Sequence, residues 1–165
     1  MYFDKEFDNL VKDYLMHYKV QEMSKYKHHG ISRLEHSIRV SYYSYKVCKA
    51  LKLRYKETAV AALLHDFFLD EVSKENGFNR LIHHPKYAVE NAEYYFKIND
   101  FQKNIILRHM FPVTFIPPRD LEGCIVDLVD NIASVYERCS SSINSLAKTT
   151  SVIALALGSI IKFKI

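Results

Sequence analysis

Cysteine is scarce in this chain, and its spacing excludes more than its number does. Cys48, Cys124 and Cys139 are the three present. They lie far apart with no Cys-x-x-Cys pair, which excludes a zinc-finger or dithiol redox motif. A reduced, cytoplasmic setting is expected, and all three cysteines, in apolar helical stretches, are expected in the core. Glycine numbers four, too few and too dispersed for a phosphate-cradling P-loop. A Gly-x-Ser-x-Gly elbow is also lacking, so a covalent nucleophile has little support. Neither sign of charge dominates. Lys plus Arg is 23 against 19 for Asp plus Glu, a net charge of +4. That surplus suits a small anionic ligand such as a phosphate ester, but is too small and scattered to argue for a nucleic-acid duplex. The N-terminus carries neither a basic n-region nor an apolar h-region, so no signal peptide is predicted. The tail from Val152 to Ile165 is apolar, yet Lys162 and Lys164 interrupt it. It is shorter than the ~20 residues a membrane span needs, so a packed or homodimer-forming terminal helix is expected over residues 140–165, with a membrane-surface role as the alternative.

What is present is an ordinary globular composition, 48% hydrophobic and 25% charged over 165 residues, which predicts one domain spanning 1–165. A chain of this length buries roughly two thirds of its unfolded surface and needs no metal merely to fold. Most of it reads as helix. Apolar residues at Phe3, Phe7, Leu10, Val11, Tyr14, Leu15 and Tyr18 form one helical face over residues 3–23. His28-His29-Gly30 reads as a turn. Ser32 and Glu35 fit a capping box that opens a long helix to about Leu51. Residues 54–69 predict a third helix, apolar all round at Ala59 to Leu64 and therefore buried. Residues 70–84 read as a loop through Asn76-Gly77, with Pro85 as the first helical position of the next helix, to about Phe96. Asn99-Asp100 caps another to about His109. Pro112, Pro117 and Pro118 keep 111–118 non-helical. A last long helix is expected from Arg119 to Arg138, with Leu121, Ile125, Leu128, Val129, Ile132 and Val135 turned inward and Ser140-Ser141-Ser142 breaking it.

His65-Asp66, at the end of the apolar run Ala61-Ala62-Leu63-Leu64, is the most informative dipeptide. Ionisable groups at the end of a buried helix are costly unless something pairs with them, and a metal ion is one such partner. Neighbours on a helix point about 100° apart, so the two reach one centre only near a helix end, or with Asp66 bridging two ions. Alone, the pair reads more readily as a structural histidine. The other candidates shift that balance. His36 precedes His65 by the length needed for one helix to return beside another. His84 stands before Pro85, His109 ends a helix, and Asp130 is an acid in the apolar stretch Leu128 to Ile132.

In that order, His36, His65-Asp66 and Asp130 resemble the H…HD…D signature of the HD-domain superfamily of metal-dependent phosphohydrolases. The blocks Arg33 to Ser41, Leu63 to Phe68, His84 to Ala92 and His109 to Pro112 are similar to a small bacterial HD family. The likeness covers about residues 28–138. It implies an all-α HD-domain bundle of about six to eight helices. It implies hydrolysis of a phosphomonoester, nucleotide or phosphodiester by a metal-activated hydroxide. His36, His65, Asp66 and Asp130 would hold a first divalent ion, with Asp66 bridging to a second on His84 and His109. Fe, Mn, Zn or Ni are expected, and Mg suits the histidine-rich second site less well. Catalytic roles fall to His65 and Asp66, and to Arg33 and Lys86 for phosphate. The chain departs from the cyclic-dinucleotide phosphodiesterases of this superfamily, since no Gly-Tyr-Pro follows His109 and Met110 replaces a second histidine. His83 adjoins His84, so the ligand could be either; His84 is preferred because it precedes Pro85, and His83 is expected to face solvent or to lie behind the ligands. The competing readings are a non-catalytic nucleotide- or metal-sensing module and a di-iron oxygenase.

Overall fold

The computed structural model describes residues 4–28, 30–69 and 77–162, with side chains described up to residue 142, His28 excepted. The architecture is all-α. Its helices are α1 (Lys5–Met16), α2 (Tyr18–Glu22), α3 (Arg33–Ala50), α4 (Tyr55–Leu64), α5 (Gly77–Tyr95), α6 (Asp100–Arg108) and α7 (Leu121–Lys162). No helix among the described residues is long and apolar enough to cross a membrane.

The helix expected over 3–23 is divided. Residues 1–3 lie outside the described residues, and α1 starts where Asp4 Oδ1 accepts from the Glu6 amide at 2.9 Å. The break falls at His17, whose backbone is extended (ψ 128°) and whose Nδ1 accepts from the Lys19 amide. A short polar-tipped side chain can cap a helix in this way and stop the preceding one. A single turn at Met23–Lys25 leads into two-residue strands, β1 (Lys27–His28) and β2 (Ile31–Ser32), paired antiparallel with Lys27 opposite Ser32. Gly30 turns the chain between them at φ +97°, where an added Cβ would lie 2.6 Å from Ser141 Cβ. A side chain is therefore opposed there twice, by backbone conformation and by α7.

The Ser32–Glu35 capping box forms as read, with the Glu35 amide on Ser32 Oγ and the Ser32 amide on Glu35 Oε2. α3 presents Ser37, Ser41, Ser44 and Cys48, all buried, at steps of three and four. These small side chains let α4 approach closely, and Ser41 Oγ donates to the Ala59 carbonyl at 2.7 Å. The apolar run Ala59 to Leu64 is buried on every side. Burying each large apolar side chain contributes about 1.5–3 kcal/mol, which holds α4 as the central helix.

Several expectations are corrected. α4 stops at Leu64, so His65 and Asp66 occupy a turn and residues 67–69 are non-helical. The loop expected over 70–84 is shorter, since α5 already begins at Gly77 and carries Pro85 inside it; residues 70–76 lie outside the described residues. A proline there removes one i→i−4 bond, and burial of His84, Pro85, Ala88 and Ala92 offsets the loss. The serines at 140–142 do not break α7. Ser142 Oγ bonds back to the Arg138 carbonyl at 2.9 Å, and the helix continues to Lys162. The inward face assigned to α7 is largely reversed. Ile125 is buried and Val129 half-buried, whereas Leu121, Leu128, Ile132 and Val135 are exposed. The buried line of α7 instead runs through Val126, Ala133 and Glu137. Of the cysteines only Cys48 is in the core; Cys124 and Cys139 are exposed. Arg54 anchors the start of α7 through Glu122 and Asp120, both at 3.1 Å.

Candidate metal centre

α3, α5 and α7 and the turns that follow α4 and α6 each bring one or two ionisable side chains to a common centre. The four-residue connection after α3 returns the chain so that His36 and His65 face each other, ring centroids 5.5 Å apart. Ending α4 at Leu64 frees His65 and Asp66 from helical geometry, so both point toward the same place. His84 comes from the interior of α5, where two turns of helix precede it. His109 follows the last residue of α6. Asp130 lies on the domain face of α7. His36, His65, Asp66, His84 and His109 are all buried.

These donors fall into three overlapping groups, each with atoms within 4.8 Å of one another: His36, His65 and Asp66; His65, His109 and Asp130; Asp66, His84 and His109. All six expected ligands are thus brought together, and Asp66 faces both ends of the cluster. Its Oδ1 lies 3.3 Å from His84 Nε2 and 3.8 Å from His109 Nε2, while its Oδ2 lies 3.9 Å from His65 Nε2. His65 Nε2 is 3.8 Å from Asp130 Oδ1. Two donors about 2.1 Å from one ion are separated by no more than about 4.2 Å. Spacings of 3.3 to 3.9 Å are long for hydrogen bonds but fit two atoms sharing an ion.

The tautomers make the same case. His65 Nδ1 bonds the Ala62 carbonyl at 2.7 Å, His84 Nδ1 the Arg80 carbonyl at 2.9 Å and His109 Nδ1 the Ile106 carbonyl at 2.7 Å. A carbonyl only accepts, so each Nδ1 carries the proton, and in the neutral ring each Nε2 is a bare lone pair. His65 Nε2 is buried with no hydrogen-bond partner among the described residues. The Nε2 atoms of His84 and His109 stand 2.9 Å apart. Two lone pairs at that distance repel unless a cation lies against them. A buried set of three such nitrogens with two carboxylates fits a divalent metal better than it fits a packed core.

Electrostatics agree for the groups that are perturbed. Burial, then the neighbouring His65 and His84, push His109 down to about 3, keeping it neutral and able to donate a lone pair. Burial alone would raise Asp130, but its hydrogen bond to His36 and the nearby imidazoles hold it at about 2. His36 differs from the other three. Its Nε2 meets Asp130 Oδ1 and its Nδ1 meets Glu137 Oε2, both at 2.8 Å. Burial opposes its charge, yet these two carboxylates raise it to about 10. A cation on Nε2 would take the place of that proton. Glu137 was not legible as a site residue. It is buried and also binds Arg39. Its only sequence signal is the seven-residue step from Asp130, two turns along the same helix face.

A cavity of about 530 Å³ opens over the cluster, with Asp66, His84, His109 and Asp130 in its lining. Lys27, Arg33, Arg80 and Arg138, each from a different element, line it too, and among the described residues Asp66 and Asp130 are the acids in its lining. Arg33 is buried, with its guanidinium 3.7 Å from the Phe68 ring centroid and Nη1 donating to the Phe68 carbonyl. Lys86 is elsewhere. Two residues beyond His84 on the helix, it turns about 200° away from it, is exposed and pairs with Glu90 at 3.8 Å. His83 is likewise exposed. Arg108 is held by the Pro117 carbonyl.

A family model described as HD domain matches residues 33–134, from the first residue of α3 to one turn past Asp130. No curated protein and no solved structure matches the chain.

Proposed function

The chain belongs to the HD-domain family, and from that premise we propose that it is a metal-dependent phosphohydrolase acting on a phosphomonoester, nucleotide or phosphodiester. One observation carries the reading. Three buried imidazoles, each with Nδ1–H committed to a backbone carbonyl, turn lone pairs toward Asp66 at the floor of a basic cavity. In this reading His36, His65, Asp66 and Asp130 would hold one divalent ion, and His84 and His109 would hold a second together with Asp66. When bound, such ions make hydroxide available near neutral pH and offset charge on phosphoryl oxygens.

The chain's own residues supply the rest. Lys27, Arg80 and Arg138 attract and orient an anionic substrate at the cavity rim, since cations on a concave wall raise local anion concentration. Guanidinium groups bind phosphate through paired N–H donors. Asp66, the carboxylate nearest both histidine groups, would orient the attacking water; as that water's oxygen bonds to phosphorus and the ester P–O bond breaks, one of its protons passes to the departing ester oxygen, which leaves as the alcohol. Glu137 holds His36 in the orientation that keeps its Nε2 toward Asp130.

The test is metal content by elemental analysis of protein purified without chelator or metal-affinity resin, alongside a panel of nucleotides and phosphodiesters. We expect two ions per chain, about one in His84→Ala and almost none in His65→Ala, with hydrolysis lost in His65→Ala. Full activity and full metal content in His65→Ala would overturn the reading. So would bound metal with no turnover on any substrate, which would favour a sensing module.

A further inference from the structure

The face of α7 turned away from Asp130 and Glu137 is apolar and uncovered among the described residues. Leu121, Leu128, Ile132, Val135 and Tyr136 are each between 56% and 63% exposed, and Cys139 joins them on the surface. Scattered exposed apolar residues need no explanation, but five large ones on one helix mark an interaction surface. Their spacing is specific. Leu121, Leu128 and Val135 repeat at seven, and Ile125, Ile132 and Cys139 repeat at seven between them, alternating steps of four and three. That is the seam of a coiled coil. Ile125 is itself buried against the domain, so the open part of the seam starts at Leu128. The Ile125 row keeps its apolar seven-residue step onward in the sequence, as Leu146, Ile153 and Ile160. The Leu121 row continues in the sequence as Ser142, Thr149 and Ala156. The helix itself runs unbroken to Lys162. At 1.5 Å per residue, its 42 residues span about 63 Å.

We propose that this seam pairs with the α7 seam of a second copy of the chain, forming a symmetric dimer. A seam of heptad spacing is filled by a helix carrying the same repeat, and a second copy offers that repeat by symmetry. The opposite face of α7 is committed to the domain through Val126, Asp130, Ala133 and Glu137. That commitment disfavours a lipid surface, because an interfacial helix needs a basic polar face toward water, and here that face packs on α3. Asn131 and Arg138 border the seam and also line the cavity, so the paired helix of the second copy runs beside the cavity mouth.

The experiment is light scattering of the full chain across micromolar concentrations, with and without the double substitution Leu128→Glu and Ile132→Glu. Both positions are on the surface, and circular dichroism together with metal content checks that the fold survives. The wild type is expected at twice the 19.4 kDa chain mass, and the variant at the single-chain mass with unchanged helicity. A wild type that stays monomeric up to about 100 µM, where a seam this long should pair, overturns the proposal, as does a variant that stays dimeric. A monomeric wild type that floats with anionic phosphatidylserine vesicles would assign the face to a lipid surface instead.

Discussion

Glu137 offers the sharpest perturbation, because it touches neither cavity nor expected ion and acts only through His36. Its carboxylate is buried, with Oε2 2.8 Å from His36 Nδ1 and Oε1 on Arg39. Residues that orient a metal-binding histidine typically change metal affinity about 10- to 100-fold when removed, or about 1.4 to 2.8 kcal/mol. Glu137→Gln keeps an acceptor for Nδ1–H and loses only the charge, so its effect belongs at the low end, about tenfold weaker binding. Glu137→Ala removes the acceptor as well and belongs at the upper end. It also leaves a fully buried imidazole and a partly exposed guanidinium without their partner. Breaking a fully buried pair costs about 3–5 kcal/mol; with Arg39 partly solvated, about 2–3 kcal/mol is reasonable. For a chain of this size that lowers the melting temperature by about 4–12 °C. Metal affinity is read by competition with a fluorescent chelator near neutral pH, with Glu90→Ala as a surface control. Wild-type affinity in both Glu137 variants would refute the reasoning. A Gln variant as weak as the Ala variant would show that charge rather than the hydrogen bond orients His36.

Two further predictions concern the fold. His109 is depressed to about 3 and His36 is raised to about 10, against an unfolded value near 6.5. Between about pH 3 and 6.5 the unfolded chain binds the extra proton at His109, so stability falls as pH drops. Between about pH 6.5 and 10 the folded chain binds the extra proton at His36, so stability falls as pH rises. Asp127, raised to about 6 by burial and then by the nearby Asp130, holds an extra proton in the folded chain between about pH 4 and 6 and offsets the His109 limb there. Chelator-treated protein should therefore be nearly flat from about pH 4 up to about pH 6.5 and lose stability above it, by no more than about 1.4 kcal/mol per pH unit from His36. Saturating divalent metal should flatten the alkaline limb by replacing the His36 proton. Urea unfolding across pH checks this, and an alkaline limb unchanged by metal would contradict it. Gly30→Ala should cost about 1–3 kcal/mol, from positive φ and the 2.6 Å approach to Ser141; a neutral effect in urea would show that the turn can move away from α7.

Much of the site was readable because each ligand breaks a local pattern. His65 and Asp66 interrupt an all-apolar run, and Asp130 interrupts an apolar stretch of α7. The Ser32–Glu35 box was legible because both partners lie within four residues. What was not legible depends on distance or on tertiary trade-offs. Glu137 meets His36 across 101 residues, and next to Arg138 it reads locally as an ordinary surface charge. Pro85 reads as a helix start by local rules, yet burial of α5 from His84 onward carries it inside. α7 misled for a related reason. The rule that the apolar face turns inward fails where Asp130 and Glu137 must reach buried histidines, and the helix rotates to deliver them. Leu128, Ile132 and Val135 are carried outward by that rotation.

The three carbonyls that orient His65, His84 and His109 belong to Ala62, Arg80 and Ile106, and a carbonyl persists whatever side chain its residue bears. Genetic drift at those three positions therefore cannot remove the tautomer lock without first unwinding the helix that contains it. His36 has no such insurance, because its orienting group is a side chain that one codon change can delete. Within a single centre, inherited robustness is unevenly distributed. The His36 corner is where a lineage could lose metal affinity in one step, and where selection would have to act hardest to keep it.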